Sequence, residues 1–507
     1  MRIKSLKKGG QYMAAIDWLI LILYFLLMIG IGVWSYRRVG NAEDYFTAGG
    51  KMPWWLAGVS HHMSGYSAAV FVAYAAVAYQ YGFTIYVWWA VPVSIAVFAG
   101  AFTIAPRWTR LREHYQIGSP LEYLSTRYNV PTHQLMAWSG ILLKVFDIGA
   151  KWAAIAILLQ VFTGLPLSAG ILLSGGVSLI YSTIGGLWAD ALTDFAQFLI
   201  QLAAGIAMFV IVLANLGGIG AIAGMWSRLP AGHSDLFAGP YTLWFALAFL
   251  LIDFFSYNGG TWNLAQRYIA APSGSEARKA ALLSGILYLF WPLVLFYPMW
   301  AAPIFFPHLK QPDQSYALLA TKFLPHGLTG LVLAGMFSHT MAMTTSDANA
   351  ISSVFTRDIF PRLRGKWTML SSRGELIVAR TTTLVLVLLT MIVAVEQRAF
   401  GGVLGLLVSW FGALVGPVSV AMLLGLLPAF RNSGPAAAIV SLMAGVFTFA
   451  LDKTVFDVSE AAQQGLPVLV SAIVFAVTGW CTRNRRPEVE QMMEVLSGDS
   501  GDSESPG

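Results

Sequence analysis

The chain has 507 residues, of which 57% are hydrophobic and 11% are charged, with a mean hydropathy of +0.65. An average soluble domain carries roughly 25% charged residues, and so few ions cannot cover this much apolar surface in water. The composition therefore excludes a cytosolic enzyme, a disordered protein and a nucleic-acid binder. The single cysteine, Cys481, excludes a disulfide framework. The formal net charge of +6 can be interpreted only from the positions of the basic residues along the chain.

Long apolar runs recur along the chain. A helix needs about 20 apolar residues to cross a bilayer, whereas a barrel would show short alternating segments. The runs predict an all-α membrane protein with about thirteen transmembrane helices. Numbered 0 to 12, the predicted spans cover residues 14–35, 53–79, 83–104, 133–162, 166–185, 190–215, 241–262, 279–305, 324–353, 376–395, 402–428, 433–451 and 465–482.

Basic residues set the predicted orientation, because Lys and Arg concentrate in cytoplasmic connections. With the N-terminus outside, most basic residues between spans fall in inside connections, among them Arg107, Arg267 and Arg357. We therefore predict a multi-pass protein of the cell inner (plasma) membrane with a cytoplasmic C-terminus. Four basic residues before span 0 oppose this orientation. They belong either to an extension upstream of a natural start at Met13 or to a real basic tail that the later loops overrule.

The chain divides into three predicted regions. An N-terminal extension covers residues 1–13, a transmembrane domain covers 14–482, and a tail covers 483–507. Because the tail is rich in acids, Ser and Gly and nearly free of aromatics, it is predicted to be disordered in the cytoplasm.

Two spans contain polar, glycine-bearing interruptions, at residues 60–67 of span 1 and 256–263 of span 6. Irregular backbone at membrane depth survives only where it is buried in protein or lines a cavity. Paired broken helices in two halves of a transporter are typical of a binding site for solute and cation. Packing faces of small residues and an interhelical hydrogen-bond cluster are the structural alternatives.

Carboxylates inside the spans are further candidates, because ionisable groups there are costly. In span 3, Asp147 lies between Lys144 and Lys151 on one helix face, which favours mutual neutralisation. In span 5, Asp190 and Asp194 share a face and would repel each other unless a cation lies nearby. Two further acids are Asp253 of span 6, which either neutralises a basic residue or carries a proton, and Asp347 of the hydroxyl-rich span 8.

Four motifs occur in an order that resembles the sodium:solute symporter family. They are DYFTAGGKMPWW (44–55), GGLWADALTDFAQ (185–197), AQRYIAAPSGSEARKAAL (265–282) and SSVFTRDIF (352–360). The resemblance covers roughly residues 14–430. It implies a leucine-transporter-like fold, in which spans 1–5 and 6–10 form two inverted repeats over about 53–428. It also implies sodium-coupled symport of a small polar organic solute into the cell by alternating access.

The resemblance also implies two sodium sites. The main one takes carbonyls from the span 1 break and span 8, here Met63, Tyr66 and His339. Its pair of hydroxyls falls on Ala342 and Met343, which have none, so the pair survives only if it shifts to Thr344 and Thr345. The second site keeps its residues, because its aspartate matches Asp194 and its hydroxyls match Thr345 and Ser346. We therefore expect Na⁺, as coupling ion, to bind around Asp194 with Asp347 as a possible further ligand.

The solute is predicted to bind between the two breaks. The polar candidates are Ser64, Tyr66, Ser67, Asn258, Thr261 and Asn263, and the aromatic ones are Trp89, Tyr257 and Trp262. A sugar or sugar acid is favoured, and an amino acid or other carboxylate is the alternative. The expected partners are the solute, sodium and the bilayer, with no nucleic acid and no obligate protein partner. A proton-coupled or uncoupled carrier of the same fold stays open, because the usual hydroxyl pair is missing, whereas an enzyme is not supported by any catalytic motif.

Overall fold

The computed structural model describes residues 13–36, 42–363, 371–400, 403, 415–455, 458–483 and 486–498. Within these residues the chain is helical, and only an isolated bridge between Ala238 and Tyr241 resembles strand pairing. The all-α class predicted from the apolar runs is therefore confirmed. Three predicted regions lie outside the described residues wholly or in part: the N-terminal extension up to residue 12, residues 404–414 of span 10, and the tail from residue 499.

The first half of the chain contains the helices of spans 0 to 5. They are α1 (Ala15–Tyr36), α2 (Ala42–Thr47), α3 (Trp54–Met63), α4 (Ala73–Tyr81), α5 (Val91–Thr103), α6 (Ala105–Tyr115), α7 (Leu124–Arg127), α8 (Val130–Thr163), α9 (Leu167–Leu216) and α10 (Ala221–Gly224). Spans 4 and 5 are both part of α9, where Gly186 adopts φ 57° and ψ −158°. This backbone conformation is essentially restricted to glycine, and it interrupts the helix between the two predicted spans.

The second half of the chain contains the remaining helices. They are α11 (Leu243–Phe255), α12 (Asn263–Ile269), α13 (Gly274–Phe305), α14 (Ser315–Phe323), α15 (Leu328–Val354), α16 (Phe360–Leu363), α17 (Ser372–Val395), α18 (Gly416–Leu424), α19 (Pro435–Thr454), α20 (Glu460–Thr482) and α21 (Pro487–Ser497). By length and composition, eight helices of the described residues can each cross a membrane. The count of thirteen spans stays a prediction, because broken, polar and partly described spans fail that test.

Burial separates central helices from peripheral ones. In α11, 61% of the most apolar stretch is buried, against 28% in α1 and 28% in α20. The exposed side chains of α1 are large and apolar, as at Leu19, Leu23 and Leu26. An exposed apolar surface of this kind is compatible with contact to lipid, because lipid tails are as apolar as these side chains. The polar sequences of spans 1, 6 and 8 accordingly lie inside the bundle.

Both predicted helix breaks are present. In span 1, α3 ends at Met63 and the chain continues through an extended Ser67 before a short 3₁₀ turn and α4. In span 6, a π turn at Ser256–Gly260 follows α11, and Gly259 has φ 124°. Trp262 has φ 67°, an uncommon conformation for a bulky residue, directly before α12. Gly259 therefore helps to interrupt span 6 through a conformation that favours glycine.

Four buried charges join α8 to α15. Lys144 Nζ lies 2.5 Å from Asp347 Oδ1, and Lys151 Nζ lies 2.7 Å from Asp147 Oδ2. Lys151 also pairs with Asp347. All four residues are buried, and their charges cancel. The mutual neutralisation expected within span 3 therefore includes a fourth member, Asp347, which the sequence analysis had assigned to cation binding.

The C-terminal tail differs from its prediction. Instead of being disordered, its first part forms α21, and Arg110 Nη1 donates to the Leu496 carbonyl at 2.7 Å. The buried side chains of α21 are Val489, Met492, Met493 and Leu496. Their spacing is that of an amphipathic helix, which packs here against α6 and α7. The average composition of the tail, from which disorder was predicted, does not show this short row of apolar residues.

We expect Gly186→Ala to destabilise the protein. A Cβ at Gly186 would lie 2.7 Å from the Tyr45 carbonyl oxygen, and the backbone conformation is unfavourable for alanine. The loss should be about 1–3 kcal/mol, visible as a lower midpoint in thermal unfolding of the detergent-solubilised protein. Gly176→Ala is the matched control, because a Cβ there has open space and should be neutral or slightly stabilising. Equal midpoints for the two variants would contradict this account.

Asp347→Asn should cost about 3–5 kcal/mol of unfolding free energy, because it leaves two buried lysines with one carboxylate. Lys279→Met is the control, since it breaks an exposed pair with Glu276 that contributes at most about 1 kcal/mol. Denaturant unfolding of both variants in the same detergent measures the difference. A small effect of Asp347→Asn would show that the four charges do not hold α8 against α15.

Candidate functional site

Hydrogen bonds join the two helix breaks directly. Tyr257 Oη donates to the Gly65 carbonyl at 2.9 Å, and Asn263 Nδ2 donates to the Ser64 carbonyl at 3.0 Å. Both carbonyls belong to the interruption of span 1, so side chains of span 6 satisfy backbone groups that a continuous helix would have satisfied. A Cβ at Gly65 would lie 1.7 Å from Tyr288 Oη, so only glycine permits this approach.

A buried cluster of charges and hydroxyls lies beside these breaks, against α3 and α12. The guanidinium of Arg267, on α12, is 0% exposed and donates to Asp190 Oδ2 at 2.5 Å and to Asp194 Oδ2 at 3.3 Å. Two carboxylates and one guanidinium leave a formal charge of −1. The remaining oxygen of Asp194, Oδ1, has no hydrogen-bond partner among the described residues.

Hydroxyl groups from α3 and α15 complete this cluster. Ser60 Oγ donates to Asp194 Oδ2 at 2.6 Å, and Ser64 Oγ lies 2.8 Å from Ser346 Oγ. Thr345 Oγ1 donates to Asp190 Oδ1 at 2.7 Å. The structure therefore brings together the three residues predicted for the second sodium site, Asp194, Thr345 and Ser346. It places Arg267 between them, donating to Ser346 Oγ at 2.5 Å.

The positions predicted for the main sodium site have different surroundings. Ala342 packs in an apolar cluster with Met63, Val59 and Phe198. Thr344 Oγ1 donates to the Thr340 carbonyl of its own helix at 2.7 Å. Thr345 Oγ1 also donates to a carbonyl of its own helix, that of Met341 at 2.8 Å. The shifted pair of Thr344 and Thr345 stays a prediction.

Tyr66 and His339, the other residues predicted for the main site, contact each other. Their ring centroids lie 4.5 Å apart. Tyr66 Oη lies 3.1 Å from His62 Nε2 and accepts a hydrogen bond from Gln201 Nε2 at 3.1 Å. These hydrogen bonds and the tilted ring contact link span 1 to spans 5 and 8.

The residues predicted to bind solute lie in several environments. Three of them bond to backbone, as Tyr257 and Asn263 do: Asn258 Nδ2 donates to the Ala96 carbonyl at 3.0 Å, Thr261 Oγ1 donates to the Ser256 carbonyl, and Ser67 Oγ accepts from the Ala69 amide. Trp262 lies against α8, where a Cβ at Gly140 would be 2.0 Å from its ring. Ser64 and Asn263 belong to the contacts between the breaks and the charge cluster. Trp89 instead packs between aromatic rings, 5.6 Å from Tyr66 and 5.2 Å from Tyr74.

Sequence reasoning missed Arg267 as a site residue and counted it as loop charge. A signal was present, because two like-charged carboxylates four residues apart on one helix required a nearby cation. Gln201 was also missed, since a glutamine inside an apolar run gives little indication of which side chain it meets. No group of three or more His, Cys, Asp or Glu suited to a metal occurs in the described part of the chain.

Comparisons with known proteins identify the family. The family model described as the sodium:solute symporter family matches residues 45–445. A sodium/sialic acid symporter of Aliivibrio fischeri is 25% identical over 503 residues, covering 94% of this chain and 95% of that protein. The human sodium/iodide cotransporter is 28% identical over 481 residues, covering 89% of this chain and 72% of that protein. The sodium/glucose cotransporter of Vibrio parahaemolyticus is 25% identical, covering 92% of this chain and 90% of that protein.

Solved structures show the same fold. A Na⁺-coupled sialic acid symporter, solved in a substrate-bound outward-open state, superposes with a TM-score of 0.81 at 21% identity, covering 92% of this chain and 98% of that one. A nucleobase-cation-symport-1 transporter superposes at 0.56 with 14% identity, covering 89% and 98%. The leucine-transporter-like fold is thus confirmed. Because the family model covers well over half of the chain, the chain belongs to the sodium:solute symporter family, and it is a multi-pass, Na⁺-coupled membrane transporter rather than an enzyme.

Proposed function

We propose that the protein carries a small polar organic solute, a sugar or sugar acid before other classes, into the cell together with Na⁺. The observation that carries this proposal is the pair of helix breaks joined by the bonds from Tyr257 to Gly65 and from Asn263 to Ser64. Such breaks place polar backbone and side chains halfway along membrane-crossing helices. Relatives named for sialic acid, glucose and myo-inositol support the solute class. The proposal includes a plasma-membrane location with the N-terminus outside.

Sodium is proposed to bind at the cluster of Asp194, Asp190 and Arg267. The formal charge of −1 there matches one monovalent cation, and hard cations favour oxygen ligands such as carboxylates and hydroxyls. Asp194 Oδ1, which lacks a hydrogen-bond partner among the described residues, offers a ligand that requires no existing bond to break. Ser346 contributes its hydroxyl once Arg267 releases it, and Thr345 contributes its hydroxyl beside Asp190, to which it donates. Arg267 thus competes with the ion for the same oxygens.

The position of the cluster gives sodium a means to act on the conformation. It is formed by α3 and α12, which are the inner halves of the two broken spans, and by α9 and α15, which surround them. An ion shifts a conformational equilibrium only by its different affinities for the two states. Separation of the inner halves would disperse the ligands, so bound Na⁺ favours the state in which they stay together. Solute and ion then support each other reciprocally when both bind best to that state.

A proton-coupled carrier is the second candidate. The apolar surroundings of Ala342, where the family resemblance places sodium-binding hydroxyls, favour it. Uptake of labelled sugars, sugar acids and amino acids into proteoliposomes, measured under a sodium gradient and under a proton gradient, separates the two candidates. We expect concentrative uptake only with the sodium gradient. Uptake driven by the proton gradient alone would contradict the proposed coupling.

Asp194→Asn should raise the Na⁺ concentration for half-maximal uptake by about ten- to a hundredfold, because a charged oxygen ligand is lost and the cluster becomes neutral. Asp235→Asn is the control, since this aspartate is exposed in the connection before α11. Sodium-activation curves at saturating solute provide the measurement. If Asp194→Asn keeps the wild-type curve, the ion binds elsewhere.

A further inference from the structure

One of the carboxylates that the sequence analysis singled out inside the spans differs from the others. Asp253, on α11, is 1% exposed, forms no salt bridge within the described residues, and its Oδ2 has no hydrogen-bond partner there. The carboxylates of α8, of the inner half of α9 and of α15 all pair with lysine or arginine. Asp253 is therefore the exception among the acids that the sequence analysis singled out inside the spans.

The part of predicted span 10 outside the described residues has no basic side chain in its sequence. Residues 401–414 read GGVLGLLVSWFGAL and contain no Lys, Arg or His. A buried carboxylate without a partner is strongly unfavourable, whereas a plain hydrogen-bonding or apolar side chain would be tolerated at the same place. An ionisable group kept under these conditions inside a membrane span indicates a functional contact.

Asp253 lies next to the junction of the two breaks. It precedes the π turn Ser256–Gly260 by three residues and lies about one helical turn before Tyr257, so the two side chains share a face. Tyr74 of α4 and Tyr288 lie within the range of its charge. Tyr257 is the residue that bonds to Gly65 in the span 1 break, so the carboxylate lies about one turn from the bond that joins the two breaks.

The surrounding aromatic rings form a surface beside this carboxylate. Tyr74 packs on Trp89 at 5.2 Å between ring centroids, and Tyr257 packs on Tyr288 at 5.2 Å. Aromatic faces bind the apolar faces of ring-shaped solutes and also attract positive charge. Together with an acceptor that carries negative charge, they suit a solute that presents hydrogen-bond donors.

We propose that Asp253 binds the solute directly and selects for hydrogen-bond donors without negative charge, so that the substrate is a neutral sugar, a cyclic polyol or an amino sugar. This inference rests on the proposed function and narrows it by excluding sugar acids. Two neighbouring hydroxyls of a sugar, or the ammonium group of an amino sugar, would donate to the carboxylate in charge-assisted hydrogen bonds. A sugar acid would bring a second negative charge into the same water-poor region, where like charges repel strongly.

The test measures sodium-driven uptake into proteoliposomes containing the full-length protein. The probes are glucose and myo-inositol as neutral solutes, glucosamine as the cationic one, and glucuronate and N-acetylneuraminate as acids. We expect the wild type to take up one of the first three at least about tenfold better than either acid. Asp253→Asn should weaken uptake of that solute by about tenfold or more and reduce the discrimination against acids. If the protein prefers glucosamine over both neutral probes, the solute group that donates to Asp253 is an ammonium group.

Two further variants distinguish the effect of the charge at position 253 from a general effect on folding. Asp253→Glu keeps the negative charge but moves it, so it should weaken uptake of the preferred solute while acids stay excluded. Asp452→Asn is the matched control, because it removes a buried carboxylate of α19 and should leave selectivity unchanged. Size-exclusion profiles establish that each variant is folded.

The outcomes distinguish this inference from the function on which it rests. Sodium-driven uptake of an acid as efficient as that of the neutral probes would overturn the role of Asp253 but leave sodium symport intact. The same holds if Asp253→Asn keeps the wild-type selectivity, including the case in which it only removes a dependence on the proton gradient. Absence of sodium-driven uptake for every probe would overturn both.

Discussion

A guanidinium buried between two carboxylates ties the centre of this transporter together. Arg267 contacts Asp190 and Asp194 of α9 and hydroxyls from α3 and α15, so four helices meet at one charged group. Such a group is stable in a membrane protein only when nearly all of its donors are satisfied. The same requirement makes the cluster sensitive to helix movement, because any separation of α3 or α12 from α9 exposes an unpaired charge. Structural stability and conformational coupling therefore depend on the same contacts.

The interrupted helices follow a related rule. Backbone carbonyls at and just before the break of span 1 accept hydrogen bonds from Tyr257 and Asn263 of span 6 and from Tyr288 of α13. Solute bound between the breaks would have to replace or extend these bonds. The closely packed junction in this structure thus indicates a compact arrangement of the two breaks, in which the carbonyls of span 1 already have donors. Alternating access requires these hydrogen bonds to break and be replaced by others at a small net cost in free energy. This is feasible because a typical hydrogen bond contributes little net free energy.

Charges inside the bundle differ in whether an opposite charge lies beside them. The four charges around Asp347 cancel one another and join α8 to α15. The cluster at Arg267 keeps an excess of one negative charge, and Asp253 has no counter-ion within the described residues. Unbalanced charge in a low-dielectric interior needs a partner from outside the protein. An ion and a solute are the two partners that a symporter brings in.

The sequence by itself determined the helical class, the positions of both breaks and the residues on one face of α9. Hydropathy, glycine and helical periodicity act over a few neighbouring residues, and these signals can be read along the chain. Only the tertiary structure decided which polar groups meet. From the sequence, Arg267 was counted among the charges of a loop, and Asp347 was a candidate cation ligand. The helix α21 was not predicted, because the composition of the whole tail is typical of a disordered segment. Each depends on partners that are distant along the chain, and the energy of a buried charge is set by those partners rather than by its neighbours in sequence.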